Sequence, residues 1–342
     1  MAVINNQDPL TLADYESLLG DKDLARKVLI NTVRDYMPFF DQGIITQGND
    51  GTGDKGQFIT GYPEGQLRAF NEGWSAEMPT GTVARYASSM VRTRSVVDIS
   101  VLNTRKPSDR STYRMRSDVA FMRGLARQTV RRVFYGNPAT DPRDMLGLAN
   151  LVVPTNELFN GRIIDAGGTT AGKLTDIWLI NWDPATFYMF YPQGGLGPGL
   201  SVENMGEQYV ADKNGKHYRA EITEFGWDLG LALYDPERVV RITNVDTTKL
   251  SAKGTSGPNL IDLLMDAKGR LPDESAGKTA FYMADGVRSF FERQVMNKDN
   301  VLLNIGDVMG RQGVPTLSGI PIHKLGTDVI STKQNKITGI ED

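Results

Sequence analysis

Cysteine is missing from the 342-residue sequence. Its absence excludes thiol nucleophiles, cysteine redox switches, iron–sulfur ligation and cysteine-based zinc sites. The compartment stays open, because a chain of this length can be stable without disulfides. Histidine is nearly missing. His217 and His323 each sit in a strand-like segment beside a lysine, Lys216 and Lys324. Neither has neighbours spaced as metal ligands and there is no H-E-x-x-H, so a structural role is expected for both. No G-x-S-x-G nucleophile elbow occurs. No apolar run approaches the roughly 18 residues of a membrane span. No basic residue precedes Lys22 and no apolar stretch follows Met1, so no signal peptide is expected. Net charge is also small. Lys+Arg number 38 against 41 Asp+Glu, and −3 overall gives no general attraction to nucleic acid or anionic membrane.

What is present is ordinary for a globular protein, with 40% hydrophobic and 23% charged residues. The length suits two linked lobes or one elongated body with extensions. Thr11 as N-cap, with Asp14 three residues on, starts a helix carried by Leu12, Tyr15, Leu18 and Leu19. Gly20 and Asp21 interrupt it. Leu24, Val28 and Val33 set a second helix, which Met37-Pro38 ends. Positions 46–82 then hold eight glycines and few aliphatic residues. Strand character survives at Gln57–Thr60 and from Ala84 to Leu102. Because a structureless loop of roughly 35 residues is rare in a compact domain, 46–85 is expected to be a two-stranded excursion. It should project from the body and pack on something outside its own subunit.

Pro107–Phe134 carries the clearest helical pattern. Met115, Val119, Met122, Ala126, Thr129 and Val133 recur at steps of four and three, one apolar stripe that Gly136-Asn137-Pro138 stops. A helix of roughly 26 residues spans about 40 Å. From Arg105 to Arg132 there are nine Lys/Arg against Asp109 and Asp118, so the segment is +7 within a chain of −3. That charge marks either a solvated face or a surface for acidic groups of another subunit, a partner or nucleic acid. Aromatic residues do not interleave with the arginines, which argues against base stacking.

Further on, Leu174–Trp182 reads as a buried strand, Thr186–Tyr191 as a short helix, and Gly194–Gly199 as a loop. Tyr209–Ala211 and His217–Phe225 read as a hairpin around Asp212–Lys216. Arg238–Val245 and Pro315–Lys324 read as strands, and Asn259–Arg270 and Ala284–Lys298 as helices. The elements interleave without βαβ spacing, which favours α+β. Trp178, Trp182, Phe187, Tyr188, Phe190 and Tyr191 are expected in the core, with Trp227 and Tyr234 in the same lobe.

Three motif-like stretches have bland readings. Gly167–Lys173 fits G-x-x-x-x-G-K, but Leu174 replaces the Ser/Thr that would hold magnesium, and the apolar run follows the loop instead of preceding it. Ser275-Ala276-Gly277-Lys278-Thr279 has Pro272 at its first glycine position, and proline has no N–H to give a phosphate. Asn49–Asp54 is similar to a calcium loop, but Gly61 stands where the glutamate belongs. A hairpin tip is expected there.

Several stretches, in order along nearly the whole chain, resemble the major capsid protein of tailed double-stranded DNA bacteriophages, the short-tailed type in particular. They are Leu10–Tyr15, Phe134-Tyr135-Gly136-Asn137, Asp176–Leu179, Tyr191–Gly194, Trp227–Leu231, Arg238–Asp246 and Gly319–Ile322. The resemblance implies the α+β fold of tailed-phage and herpesvirus major capsid proteins. In it, 1–42 is an N-terminal arm and 43–98 an extended loop hairpin with its return strand. Residues 99–154 form a peripheral domain around a spine helix at 108–135, 155–300 form an axial domain, and 301–342 return to the peripheral domain. It implies a non-enzymatic protein of the virion capsid. That protein assembles in the host cytoplasm, as hexamers and pentamers, into an icosahedral head enclosing double-stranded DNA. Implied partners are other copies of itself, a scaffolding protein, a portal protein, packaged DNA and a decoration protein, with no membrane. No cofactor, metal or catalytic residue is expected. Candidate inter-subunit contacts are Lys55, Arg68, Trp74, Arg85, Arg114, Arg116, Arg123, Arg127 and Arg131. Some relatives cross-link a loop lysine to a neighbour's asparagine, but Lys55 is the only lysine between positions 28 and 105. No cross-link and no removable N-terminal scaffolding segment are expected. The rival readings are a tail-tube or connector protein, and a P-loop nucleotide-binding enzyme using Lys173 or Lys278.

Overall fold

The computed structural model describes residues 10–14, 24–61, 63–195, 197–251, 257–271, 278–296, 303–308 and 311–340. At the start, the Thr11 backbone N–H and hydroxyl both donate to the Asp14 carboxylate at 2.8 and 2.6 Å, the cap expected there. Tyr15, Leu18, Leu19, Gly20 and Asp21 lie outside the described residues. Strand β1 (Leu10–Thr11) is followed by α1 (Leu24–Tyr36), a single-turn α2 (Phe39–Gln42) and β2 (Ile44–Gln47). The excursion consists of β3 (Gly53–Gly61) and β4 (Thr80–Ala87), paired only with each other.

The expected strand Ala84–Leu102 is three elements: the end of β4, then β5 (Ser89–Asp98), then helix α3 (Ile99–Asn103). Asp98 causes the change, because its side chain caps α3 by accepting from the Ser100 N–H at 2.7 Å. The long helix α4 (Pro107–Tyr135) begins on proline, whose missing N–H costs nothing in a first turn. Its buried side is Met122, Leu125, Ala126, Thr129, Val130, Val133 and Phe134. Met115, the first member of the expected stripe, is exposed. Periodicity puts it on the right face, but the core begins about two turns later.

A second turn helix, α5 (Leu148–Leu151), leads to β6 (Ile163–Asp165), β7 (Leu174–Trp182) and β8 (Phe187–Tyr191). The helix expected at 186–191 is therefore a strand. It runs between β2 and the later β10 (His217–Leu233), and a run of aromatic side chains suits a pleated surface covered on both faces. Strand β9 (Leu200–Ala211) makes the expected hairpin with β10, much longer than the sequence suggested. Strand β11 (Val239–Asp246), α6 (Leu260–Gly269), β12 (Lys278–Ala284) and α7 (Asp285–Met296) follow. Then come β13 (Leu303–Val308), β14 (Arg311–Leu317) and β15 (Ile320–Leu325). The single late strand expected at 315–324 is broken by Ser318 and Gly319. Both have positive φ, 50° and 87°, the pair of left-handed residues that turns a tight hairpin.

Two larger sheets result. One has order β1-β2-β8-β10-β5, with β9 also on β10. The other has order β13-β14-β15-β12-β7-β11-β6. Every residue of β7 and β11 is buried, since both lie inside the second sheet. Trp178, Trp182, Phe187 and Phe190 are fully buried, as expected, and Trp227 is too. Phe39 joins them, edge-on to Phe134 at 5.6 Å and to Trp182 at 5.5 Å, so α2 nails the N-terminal segment to the core. His323 is buried and stacked on Tyr282 at 5.7 Å, and His217 is exposed on the β9–β10 hairpin.

Among the described residues, one ion pair has both partners buried in the core. Arg241 donates from Nη2 to Asp176 Oδ2 at 2.6 Å and from Nη1 to the carbonyls of Ala149 and Val152 at 3.1 and 2.8 Å. Its guanidinium lies 4.9 Å from the centre of the Trp178 ring. Strands β7 and β11 and helix α5 are thereby tied by one cation.

Candidate assembly surface

The β3–β4 ladder runs from Gly53 opposite Ala87 to Gly61 opposite Thr80. Between the two strands and into the first half of β4, every described residue from Pro63 to Val83 is exposed. Leu67 and Phe70 are fully exposed, Met78 is 87% exposed and Trp74 69%. An isolated two-stranded hairpin is marginal in water, and grouped exposed apolar side chains mark an interaction site. The sequence singled out Trp74 but missed Leu67, Phe70 and Met78. Their signal was available, as large apolar residues inside a glycine-rich stretch that has no core to enter. Lys55 and Arg85 are exposed on this hairpin, Arg85 paired with Asp50 at 2.6 Å. Arg68 folds back locally, its Nε donating to the Glu72 carbonyl at 2.7 Å.

A buried acid anchors the hairpin. Asp54, 1% exposed, accepts hydrogen bonds from the hydroxyls of Tyr188 and Tyr234, both at 2.7 Å, and from the Asn49 N–H at 3.1 Å. Beside it, the Tyr86 hydroxyl donates to the Leu233 carbonyl at 2.5 Å. A side chain at Gly56 would collide with the Tyr234 ring, so glycine there permits the close approach. The Asn49–Asp54 turn is thus the base of the hairpin and not its tip. The tip lies between β3 and β4.

Burial, and then the hydrogen bond to Asp54, push the Tyr188 and Tyr234 hydroxyls well above the ordinary tyrosine value of 10.0, and burial pushes Tyr86 up to about 12. A raised folded-state value means stability that is complete below the unfolded value and lost as pH rises through the folded one. Thermal stability should therefore hold up to about pH 10 and fall above it. Tyr188→Phe/Tyr234→Phe should show a shallower fall. Tyr135 and Tyr282, also raised by burial, remain in both proteins, so the difference between the two melting profiles isolates this hub. Superimposable profiles would reject it.

The basic helix divides into committed and uncommitted charges. Arg114 turns inward: it pairs with Glu221 and donates to Thr223 at 2.5 Å and Asn204 at 3.1 Å. Arg132 pairs with Asp144 at 2.8 Å. Arg116, Arg123, Arg127 and Arg131 are exposed. Arg123 lies over the Tyr36 ring at 5.4 Å, and Arg127 pairs with Asp328 at 2.5 Å. Acid on the β9–β10 hairpin is mostly matched within the chain. Asp228 pairs with Arg92 at 2.5 Å, Glu224 with Arg94 and Glu207 with Arg219.

The first phosphate-loop stretch does not fit nucleotide. Gly168 donates its N–H to the Asn244 carbonyl at 2.9 Å and the Thr170 hydroxyl donates to Asp246 at 2.5 Å, so the 167–173 loop is folded onto the end of β11 and leads into a strand. In the second stretch Lys278 opens β12, and Ser275, Ala276 and Gly277 lie outside the described residues. Among the described residues no group of three or more His, Asp or Glu could hold a metal, and no helix is long and apolar enough to cross a membrane.

The family model described as major capsid protein GP7 matches residues 21–338. Among solved structures, a chain of bacteriophage Epsilon15 aligns with a TM-score of 0.62 at 24% identity, over 86% of this chain and 88% of that one. A chain of the bacteriophage JBD30 capsid aligns with a TM-score of 0.49 at 9% identity, over 85% and 90%. The comparison with curated proteins returns no match.

Proposed function

We propose, from the premise that this chain belongs to the major capsid protein GP7 family, that it builds an icosahedral phage head by packing its excursion onto neighbouring copies. Membership makes it a shell-forming structural protein of the virion capsid and not an enzyme. The arrangement into hexamers and pentamers, the enclosure of double-stranded DNA and assembly in the host cytoplasm belong to the proposal. So do the scaffolding, portal and decoration partners, and the division into arm, extended hairpin, peripheral and axial domains at the boundaries given above.

One observation carries the reading. An apolar, fully solvated loop at 63–79 is mounted on a hairpin whose base is locked by a buried carboxylate. A chain that fixes the direction of an exposed apolar surface so firmly is organised to place it against something. Repetition multiplies a modest contact, as each subunit both gives and receives one. Lys55, Arg68, Trp74 and Arg85 belong to this contact.

Negative-stain microscopy and a sizing column on the overexpressed protein test the proposal. Round shells or hexameric rings are expected, alone or with a coexpressed scaffolding protein. A monomer that persists with the scaffold would overturn the reading. Intact mass of the particle protein should equal that of the full chain, without cross-linked ladders.

A further inference from the structure

The long helix carries one row of exposed arginines that the described residues leave largely unneutralised. Arg116, Arg123, Arg127 and Arg131 are exposed, and at 3.6 residues per turn they fall within about 80° of one another, on the side of the helix opposite buried Met122, Leu125 and Thr129. Arg116 and Arg131 have no ion-pair or hydrogen-bond partner among the described residues. Arg123 touches only a tyrosine ring and Arg127 only the half-exposed Asp328. The one carboxylate on the helix between 116 and 131 is Asp118, which is largely covered and lies beside Arg114. The row therefore stands as concentrated positive charge in a chain whose net charge is −3.

We infer that this row binds the phosphate backbone of duplex DNA without reading its sequence. Three features separate that occupant from a second protein surface. First, the row is straight and about 22 Å long at 1.5 Å per residue. Over that length one strand of a duplex presents about six phosphates. Second, the helix itself sets no large apolar or aromatic side chain among the four, where a protein interface places its anchors, and the one ring beside them is Tyr36, under Arg123. Its uncharged fillers, Ala120 and Gly124, are small and let a backbone lie close. Third, arginine forks suit phosphate oxygens. No aromatic residue of the helix stands among the four and the Tyr36 ring is covered by Arg123, so bases are not stacked. The inference rests on the shell reading only in taking that DNA to be the packaged genome.

The competing occupant is the excursion tip of a second copy, which carries Glu64, Glu72 and Glu77 against Arg68. Titration of a mixed-sequence duplex of about 30 base pairs with the unassembled full chain, at several salt concentrations, separates the two. With four phosphate contacts the slope of log affinity against log salt should be about −3.6, a loss of about 150-fold between 50 and 200 mM. Arg116→Gln/Arg131→Gln should halve the slope, leaving a loss of about 12-fold. Arg116→Lys/Arg131→Lys should restore the wild-type slope, and a duplex of different sequence should behave alike. Unchanged melting temperatures would show that the variants are folded. No binding by the parent chain, or an unchanged slope in the glutamine pair, would overturn the inference. A glutamine pair that binds DNA like the parent but no longer forms particles would assign the row to contacts between copies. Particle formation by the parent chain is scored separately, so failure of the DNA inference leaves the shell reading intact.

Discussion

Replacing Leu67, Phe70 and Trp74 together by serine is expected to abolish closed particles while leaving the melting temperature of the unassembled chain within a degree or so of the parent. The three side chains are 104%, 101% and 69% exposed, so they contribute almost nothing to folding of their own subunit. Their worth appears only when a neighbour covers them. Fully burying a large apolar side chain is worth about 1.5–3 kcal/mol, so three together supply roughly 5–9 kcal/mol per contact. Losing even 5 kcal/mol weakens a contact by about three to four orders of magnitude. Every subunit in a shell would lose it. Particle counts by microscopy and calorimetry of the unassembled fraction check this. Normal yields of stable particles would refute the excursion as the main contact, and a melting temperature several degrees lower would show that the loop packs on its own body.

Asp176→Ala is expected to be the most damaging single replacement in the body, costing about 3–5 kcal/mol. The partner cation cannot escape, since Arg241 is 2% exposed and held by two carbonyls and the Trp178 ring. Removal of the acid strands a buried guanidinium. The pair itself need not be strongly stabilising, because desolvation offsets much of its attraction. The double replacement Asp176→Leu/Arg241→Met should therefore recover much of the loss. Urea unfolding of the two single variants and the double variant gives the coupling directly. Additive losses would mean that the two groups do not act as a unit.

The parts of this fold that were legible in the sequence are those set by neighbours close along the chain. The long helix α4 could be read because Met122, Ala126, Thr129 and Val133 repeat on one face. The excursion could be read because eight glycines in 46–82 leave nothing to build a core from. The hub could not be read: Asp54 meets Tyr188 and Tyr234 across 134 and 180 residues, and no periodicity reaches that far. Arg114 shows the same blindness in charge. Counting it among nine basic residues was correct, but its counter-ion Glu221 sits on β10, on a different part of the chain. Residues 186–191 were misread because a short aromatic run has no period long enough to separate a strand from a helix.

The junction at Ser88 has a mechanical consequence. Strand β4 leaves the excursion and continues, with Ser88 alone between, into β5, which pairs with β10 at ten consecutive positions from Ser89–Leu229 to Asp98–Ala220. Tension applied along the hairpin pulls β5 lengthwise past its partner. The rungs of that ladder then carry the load side by side, in shear, and do not open one after another like a zip. The turn at Asn49–Asp54 holds the other leg to the body through the tyrosine hub. A load on the hairpin is thus held by two lines, one yielding only by wholesale sliding of a strand.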